Sequence, residues 1–453
     1  MNRRQFVASA AASVLPSIAA PLRPYGAVPS KRQLLWHELE VYAFLHFTIN
    51  TFTDKEWGYG DESPSLFAPS AFDADTIVEQ LAAGGMKAVI LTCKHHDGFC
   101  LWPTKTTEHS VRNSAWRNGR GDVVKEISEE ARKRGMKFGV YLSPWDRNAA
   151  QYGGPEYVRL YRDQLRELLT QYGPICEVWH DGANGGDGFY GGKREKRTID
   201  KRTYYDWPNT WDLVRQLQPN AVIFSDVGPD IRWVGNEKGF ANETCWATFT
   251  PTAPDGGPAM PGLVKEKESP TGHRDGKLWL PAECDVSIRP GWFWHENQNS
   301  RVKQPRDLMD LYFKSVGRGA SFLLNVPPDR RGLLHENDVA SLRGFGKERD
   351  ALFANNLAKG AKVSKSAAAT ELRLPNQAPV QVIRLREAIA YGHHIDSVAV
   401  DFWKDGAWKE TATATSIGNC RLIRLPEPVA TNRVRVRVTK AAAPPALSEI
   451  SLF

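Results

Sequence analysis

The sequence predicts an α/β fold: a (β/α)8-like TIM barrel followed by a small C-terminal all-β sandwich. Three observations carry that expectation. Short apolar runs alternate with amphipathic segments between residues 41 and 353, the pattern of parallel strands separated by helices. The run Lys87–Cys93 (KAVILTC) is apolar on both faces, as a parallel strand covered on both sides must be. From residue 366 the chain turns to Val, Thr, Ala and Arg in two-residue alternation, the pattern of antiparallel strands.

In chain order, Val41–Phe47 reads as the first strand. Phe72–Ala83 has helical spacing and stops at Gly84-Gly85, and Lys87–Cys93 follows as the second strand. Gly121–Arg134 is a helix closed by Gly135, then Phe138–Leu142 is a strand. Tyr157–Tyr172 is a helix before the strand Ile175–Asp181, and Trp211–Leu217 is a helix before the strand Ala221–Ser225. Leu278–Ala282 and Ser321–Val326 complete the apolar runs, with the helix Leu308–Val316 between them and a last helix over Glu336–Phe353. These make seven or eight strands, with long and irregular later units. No GxGxxG or GxxxxGK[ST] follows any strand, so the usual phosphate cradle of a doubly wound nucleotide-binding sheet is missing. Residues 30–353 are the expected barrel, Asn355–Ser366 the linker and 366–453 the sandwich. Within the sandwich, Val380–Arg386, Val398–Phe402 and Arg433–Val438 read as strands, separated by turns such as Lys404-Asp405-Gly406.

The 453 residues allow two or three domains, and 41% hydrophobic with 25% charged residues excludes wholesale disorder. Residues 1–20 read as an export signal of twin-arginine type: Arg3-Arg4, then Phe6, a short apolar stretch, and small residues at Ala19 and Ala20. A periplasmic or secreted protein is the expectation. Beyond that segment no run approaches the roughly 20 apolar residues of a membrane span. The net charge of +7 includes Arg3 and Arg4 and is mostly interspersed. Without a basic stripe or a motif, nucleic acid is not an expected partner. One cluster, Lys193-Arg194-Glu195-Lys196-Arg197 with Lys201-Arg202, reads either as a solvated loop or as a contact for an acidic substrate branch. The six cysteines show no CxxC or zinc spacing and read as free, with Cys93–Cys100 or Cys245–Cys284 as the alternative pairs in an exported chain.

A barrel collects its reactive side chains at the C-terminal ends of its strands. Those positions hold His46, Glu56 and Trp57, then Lys94, His95, His96, Asp97 and Trp102, then Tyr141 and Trp145, and finally Glu177, Trp179 and Asp181. Alternation puts Glu177, Trp179 and Asp181 on one face and turns His180 outward. Histidines and carboxylates that exchange hydrogen bonds with hydroxyls, set among indoles that stack on sugar rings, describe a carbohydrate site. The 15 tryptophans agree with it.

The runs LHFTINTFTDKEWG (45–58), KHHDGFCLWPTKTTEHSV (94–111) and EVWHDGANG (177–185) resemble glycoside hydrolase family 29, the α-L-fucosidases. RWVGNEKG (232–239) and DVSIRPGWFWH (285–295) resemble the branch that acts on α-1,3/1,4-fucosyl linkages. The similarity spans residues 30–350, and the C-terminal module is similar to the family's β-sandwich. The resemblance implies a retaining, exo-acting fucosidase without a cofactor or metal, acting on terminal fucose of glycans. It implies Asp181 as nucleophile and Glu237 as acid/base, with Asp230, Glu243, Glu283 and Asp285 as competing carboxylates. It also implies His46, His95, His96 and Tyr141 as holders of the sugar hydroxyls, and Glu56 as a further hydroxyl partner. Trp57, Trp179 and Trp294 would frame the ring, with Arg289 behind them.

Two other functions compete. A metal-dependent hydrolase would use His95, His96 and Asp181, but neighbouring residues on an extended strand point to opposite sides. A non-catalytic glycan-binding barrel would keep the pocket and lose turnover.

Overall fold

The computed structural model describes residues 22–366 and 369–453. The expected signal segment, 1–20, lies outside them. Eight parallel strands close a barrel: β1 (Val41–Leu45), β2 (Ala88–Lys94), β3 (Lys137–Leu142), β4 (Glu177–Trp179), β5 (Val222–Ser225), β6 (Ile231–Trp233), β7 (Ala282–Ser287) and β8 (Ser321–Asn325). They neighbour one another in sequence order, and β1 seals the barrel against β8 with Val41 beside Phe322. Every residue of β2 is buried, as its two-faced apolarity requires.

Helix α1 (Lys31–His37) precedes the barrel, and α2 (Ala74–Ala83), α3 (Val123–Lys133), α4 (Pro155–Gln171), α5 (Trp207–Leu217), α6 (Pro305–Lys314) and α7 (Glu336–Phe353) belong to the surrounding layer. The local chemistry places their ends. Asp73 and Asp122 accept the first free N–H groups of α2 and α3, and Gly85 and Gly135 follow them at φ +77° and +71°, the left-handed geometry that glycine adopts without strain.

The barrel departs from the sequence expectation in its second half. β6 was not anticipated: it is three residues long and follows β5 after a five-residue turn with no helix, too short to show a period. The apolar run expected to be a barrel strand, Leu278–Ala282, divides. Leu278–Trp279 pairs antiparallel with Thr248–Phe249 outside the barrel. The barrel strand is Ala282–Ser287, whose inward Glu283 and Asp285 broke the apolar pattern.

The C-terminal strands are β9 (Lys362–Lys365), β10 (Ala369–Glu387), β11 (Ile395–Lys404), β12 (Ala407–Thr415), β13 (Arg421–Ala441) and β14 (Leu447–Leu452). Hydrogen bonds join them into one continuous antiparallel sheet rather than two. Register shifts interrupt the long pair β10–β13, and residues from both halves, including Leu372, Val380, Leu385, Val400 and Val434, share one apolar cluster. The sheet thus folds over its own core. It docks on the barrel where Cys245 N–H donates to Ser416 Oγ (3.0 Å) and Ala247 N–H to His393 Nε2 (3.0 Å). All six cysteines are free thiols, so neither alternative pairing forms. Among the described residues no helix is long and apolar enough to cross a membrane.

Behind the site, the fully buried Arg289 donates to Asp338 Oδ2 of α7 (2.8 Å) and to Asn299 Oδ1 (2.9 Å). This anchors residues 289–299, the loop after β7. Asp338→Ala leaves a buried guanidinium without its counter-charge, a loss expected to cost about 3–5 kcal/mol. Urea unfolding of the variant against the parent measures it, and a loss below about 1 kcal/mol would contradict this account.

Candidate active site

The C-terminal rim of β1–β4 carries most of the polar side chains that line the cleft. His46 follows β1, His95 and His96 follow β2, Tyr141 lies near the end of β3, and Asp181 comes two residues after β4. Inside the barrel, Trp179 stacks on Phe224 (4.0 Å between centroids) and Tyr141 (5.1 Å). Its indole donates to Glu283 Oε1 (2.8 Å), and Tyr42 donates to the other oxygen, Oε2, so Trp179 is held from below. Burial, and then Glu283, push the neighbouring Glu177 carboxyl far up.

Burial pushes all three histidines down, His46 to about 3, while Asp181 opposes the shift at His96. Their neighbours fix which nitrogen carries the proton. Asn325 donates its amide to Ser287 Oγ (2.9 Å) and to the Trp292 carbonyl (2.7 Å), so its Oδ1 must accept from His46 Nδ1 (2.9 Å). The Ser143 hydroxyl gives its one proton to the Trp145 carbonyl (2.7 Å) and therefore accepts from His96 Nδ1 (2.7 Å). Both imidazoles are left with a bare Nε2, ready to accept from a hydroxyl. That of His96 lies 3.8 Å from Asp181 Oδ2.

The His95 and His96 rings lie side by side, 4.1 Å between centroids. This overturns the expectation that they point apart: β2 ends at Lys94, and the next residues form a turn closed by Gly98 N–H to the His95 carbonyl (3.0 Å). Among the described residues no three His, Cys, Asp or Glu side chains gather in a metal-holding group.

Asp181 is 23% exposed and accepts twice: from the Tyr141 hydroxyl at Oδ2 (3.0 Å) and from Ala183 N–H at Oδ1 (2.7 Å). His180 turns into the helical layer, where Tyr161 and Trp207 hold it.

Glu237 lies in the loop after β6, the short strand that the apolar pattern does not reveal. Its Oε2 accepts from the Trp292 indole (3.2 Å). Burial raises its pKa, and the charges of Asp181 and Glu56 raise it further. The competing carboxylates are engaged elsewhere. Asp230 is paired with Arg32 (2.9 Å) and Arg215 (2.5 Å). Glu243 faces Arg318 (2.7 Å) and Arg421 (3.4 Å). Glu283 holds Trp179, and Asp285 accepts from the Trp233 indole (2.8 Å).

Trp57, 54% exposed, stands edge-on to His96 and Trp145 at the mouth. Glu56 accepts from Trp292 N–H (2.9 Å) and meets His295 Nε2 (2.6 Å), so it braces the loop after β7. Trp294 is buried, with Arg330 over its ring. Trp292 is the indole that reaches His46 (5.0 Å between centroids) and Glu237. A loop does not keep strand alternation, so spacing alone did not separate these two tryptophans. Reading from the residues also passed over Asn325, although it ends β8 and the strand-end rule would have found it. The basic cluster is tied down in part, with Arg194 on Asp61 (2.7 Å) and Arg202 on Asp255 (2.5 Å).

Hydroxyl-accepting imidazoles, ringing indoles and two carboxyls in unlike surroundings at a barrel mouth define a glycoside hydrolase. Residues 26–348 match the family model described as Alpha-L-fucosidase. The chain is similar to Alpha-L-fucosidase 1 of Arabidopsis thaliana, 40% identical over 98% of this chain and 90% of the relative. It is also similar to the crystal structure of a glycoside hydrolase 29 family member from an unknown rumen bacterium (TM-score 0.89, 42% identity, 95% of this chain and 78% of the other). A Ruminococcus gnavus GH29 fucosidase in complex with fucose has a TM-score of 0.84 at 29% identity, covering 96% of both chains. The chain belongs to glycoside hydrolase family 29, the α-L-fucosidases, and its activity is α-L-fucoside hydrolysis.

Proposed function

We propose that this chain is a retaining, exo-acting α-L-fucosidase that removes terminal α-1,3/1,4-linked fucose from glycans, with Asp181 as nucleophile and Glu237 as acid/base. The observation that carries the mechanism is the contrast between the two carboxyls. Asp181 is partly exposed and is held in place by hydrogen bonds from Tyr141 and Ala183, as an attacking group must be. Glu237 is raised by burial and neighbouring charge, which favours the protonated form a donor needs.

In the first step an Asp181 oxygen bonds to the anomeric carbon as the glycosidic C–O bond breaks, and the Glu237 proton goes to the departing oxygen. In the second, the Glu237 carboxylate takes a proton from water, whose oxygen displaces Asp181 and frees fucose. His46, His95, His96 and Tyr141 hold the sugar hydroxyls, Trp57 and Trp179 with Trp292 frame the ring, and Glu56 holds the loop that carries Trp292. The linkage reading rests on the motifs around Glu237 and Trp292. Residues 1–20 support export to the periplasm or the medium.

Fucose release from three substrates tests the linkage: a Lewis-type α-1,3/1,4-fucosylated trisaccharide, an α-1,2-fucosylated lactose and an aryl α-L-fucoside. The trisaccharide is expected to react at least about tenfold faster than the fucosylated lactose, a gap of about 1.4 kcal/mol in the barrier. Equal rates on those two would discard the linkage assignment and leave the hydrolase.

A further inference from the structure

Beyond β6 the chain makes a long excursion before it returns at β7, and one part of it touches both reacting loops. Gly262 lies against the nucleophile loop. Its N–H donates to Asp226 Oδ2 (2.8 Å) and its carbonyl accepts from Lys201 Nζ (2.9 Å). Its φ is +78°, and a methyl group there would collide with the Asn184 amide and the Gly182 carbonyl. Seven residues on, the Ser269 carbonyl accepts from the buried Arg232 (3.1 Å). Between these ends, the Glu266 carbonyl packs on Gly235, where an added Cβ would lie 2.7 Å from it. Gly235 is two residues before Glu237. The segment Gly262–Ser269 therefore spans from the loop that carries Asp181 to the loop that carries Glu237.

Asp226 is the clamp at the near end. It follows β5, is 8% exposed, and its Oδ1 is buried with no partner. Gly182 leaves it room, because a Cβ at Gly182 would stand 3.1 Å from Oδ2. Burial, with Asp181 contributing, raises this carboxyl to about 7, though the Gly262 N–H opposes the shift.

We infer that Gly262–Ser269 is the wall that selects the leaving-group sugar, and that Asp226 is a positioning residue that fixes this wall through Gly262. The inference rests on Asp181 and Glu237 being the reacting pair. The departing oxygen lies between the carbon that Asp181 attacks and the proton that Glu237 delivers, so the leaving sugar passes between their two loops. The wall spans that gap. The half-buried Met260 and Leu263, whose backbones bond to each other beside Gly262, bring apolar side chains next to it.

The test is the ratio of kcat/KM on the fucosylated trisaccharide to that on the aryl fucoside, whose flat leaving group makes few demands on such a wall. In Asp226→Ala the ratio is expected to fall by at least about tenfold, with the larger loss on the glycan. Asp226→Asn keeps an oxygen for the Gly262 N–H and should restore the ratio to within about threefold of the parent. Gly262→Ala keeps the Asp226 side chain but displaces the wall from it, and should reproduce the Asp226→Ala ratio. It decides alone if that variant does not fold. Equal losses on both substrates, an unchanged ratio, or asparagine as harmful as alanine would overturn the inference. A wrong reacting pair shows separately, as retained activity in Asp181→Ala or Glu237→Ala.

Discussion

Asp181→Ala is expected to lower kcat/KM on every fucoside by more than about 10³-fold, at least about 4 kcal/mol of lost transition-state stabilisation. Neighbouring carboxyls are committed elsewhere. Glu177 and Glu283 are buried inside the barrel, Asp226 is bound to Gly262 N–H, and Glu56 is taken up by Trp292 N–H and His295. The fold should survive, because Asp181 is partly exposed and its removal takes away only two hydrogen bonds. Circular dichroism and the thermal midpoint of the variant check that, and turnover within about tenfold of the parent would remove Asp181 from the mechanism.

Glu237→Ala is expected to cost about 10²–10⁴-fold on the glycan and far less on an aryl fucoside, which departs without a proton. Azide should partly restore the aryl reaction and yield α-fucosyl azide, the product of an anion attacking a β-linked enzyme intermediate. A β-configured azide, or equal losses on both substrates, would contradict the assignment. The pH dependence follows with its sign. The first step needs Glu237 protonated, so glycan turnover falls as pH rises through the pKa of this group. Burial, with the charges of Asp181 and Glu56, lifts that pKa from its ordinary value, so the alkaline limb shifts to higher pH. In Glu237→Ala that limb should vanish from what remains of glycan turnover.

Much of this site was legible before any coordinates. His46, His95, His96, Tyr141 and Asp181 lie at or just after strand ends, and strand ends are visible as the close of an apolar run. β6 was invisible because three residues carry no period. Ala282–Ser287 was obscured because Glu283 and Asp285 turn carboxyls into the barrel, where a sequence pattern expects apolar groups. Trp292 and Trp294 looked alike at a spacing of two, and only the fold of their loop separated them. The tautomers of His46 and His96 depend on Asn325 and Ser143, and no spacing rule links His46 to a residue on the far strand of the closure.

The sequence by itself determined the barrel, the all-β module after it and the stations of the rim, because hydrophobic periodicity and helix-end chemistry are local and act over a few residues. The tertiary structure alone decided which groups meet: Glu237 against Trp292, His96 against Asp181, and Gly262 against Asp226. Those meetings depend on how long loops from different strands pack over one another. That packing is set by contacts between residues far apart in the chain, and short-range patterns carry no record of it.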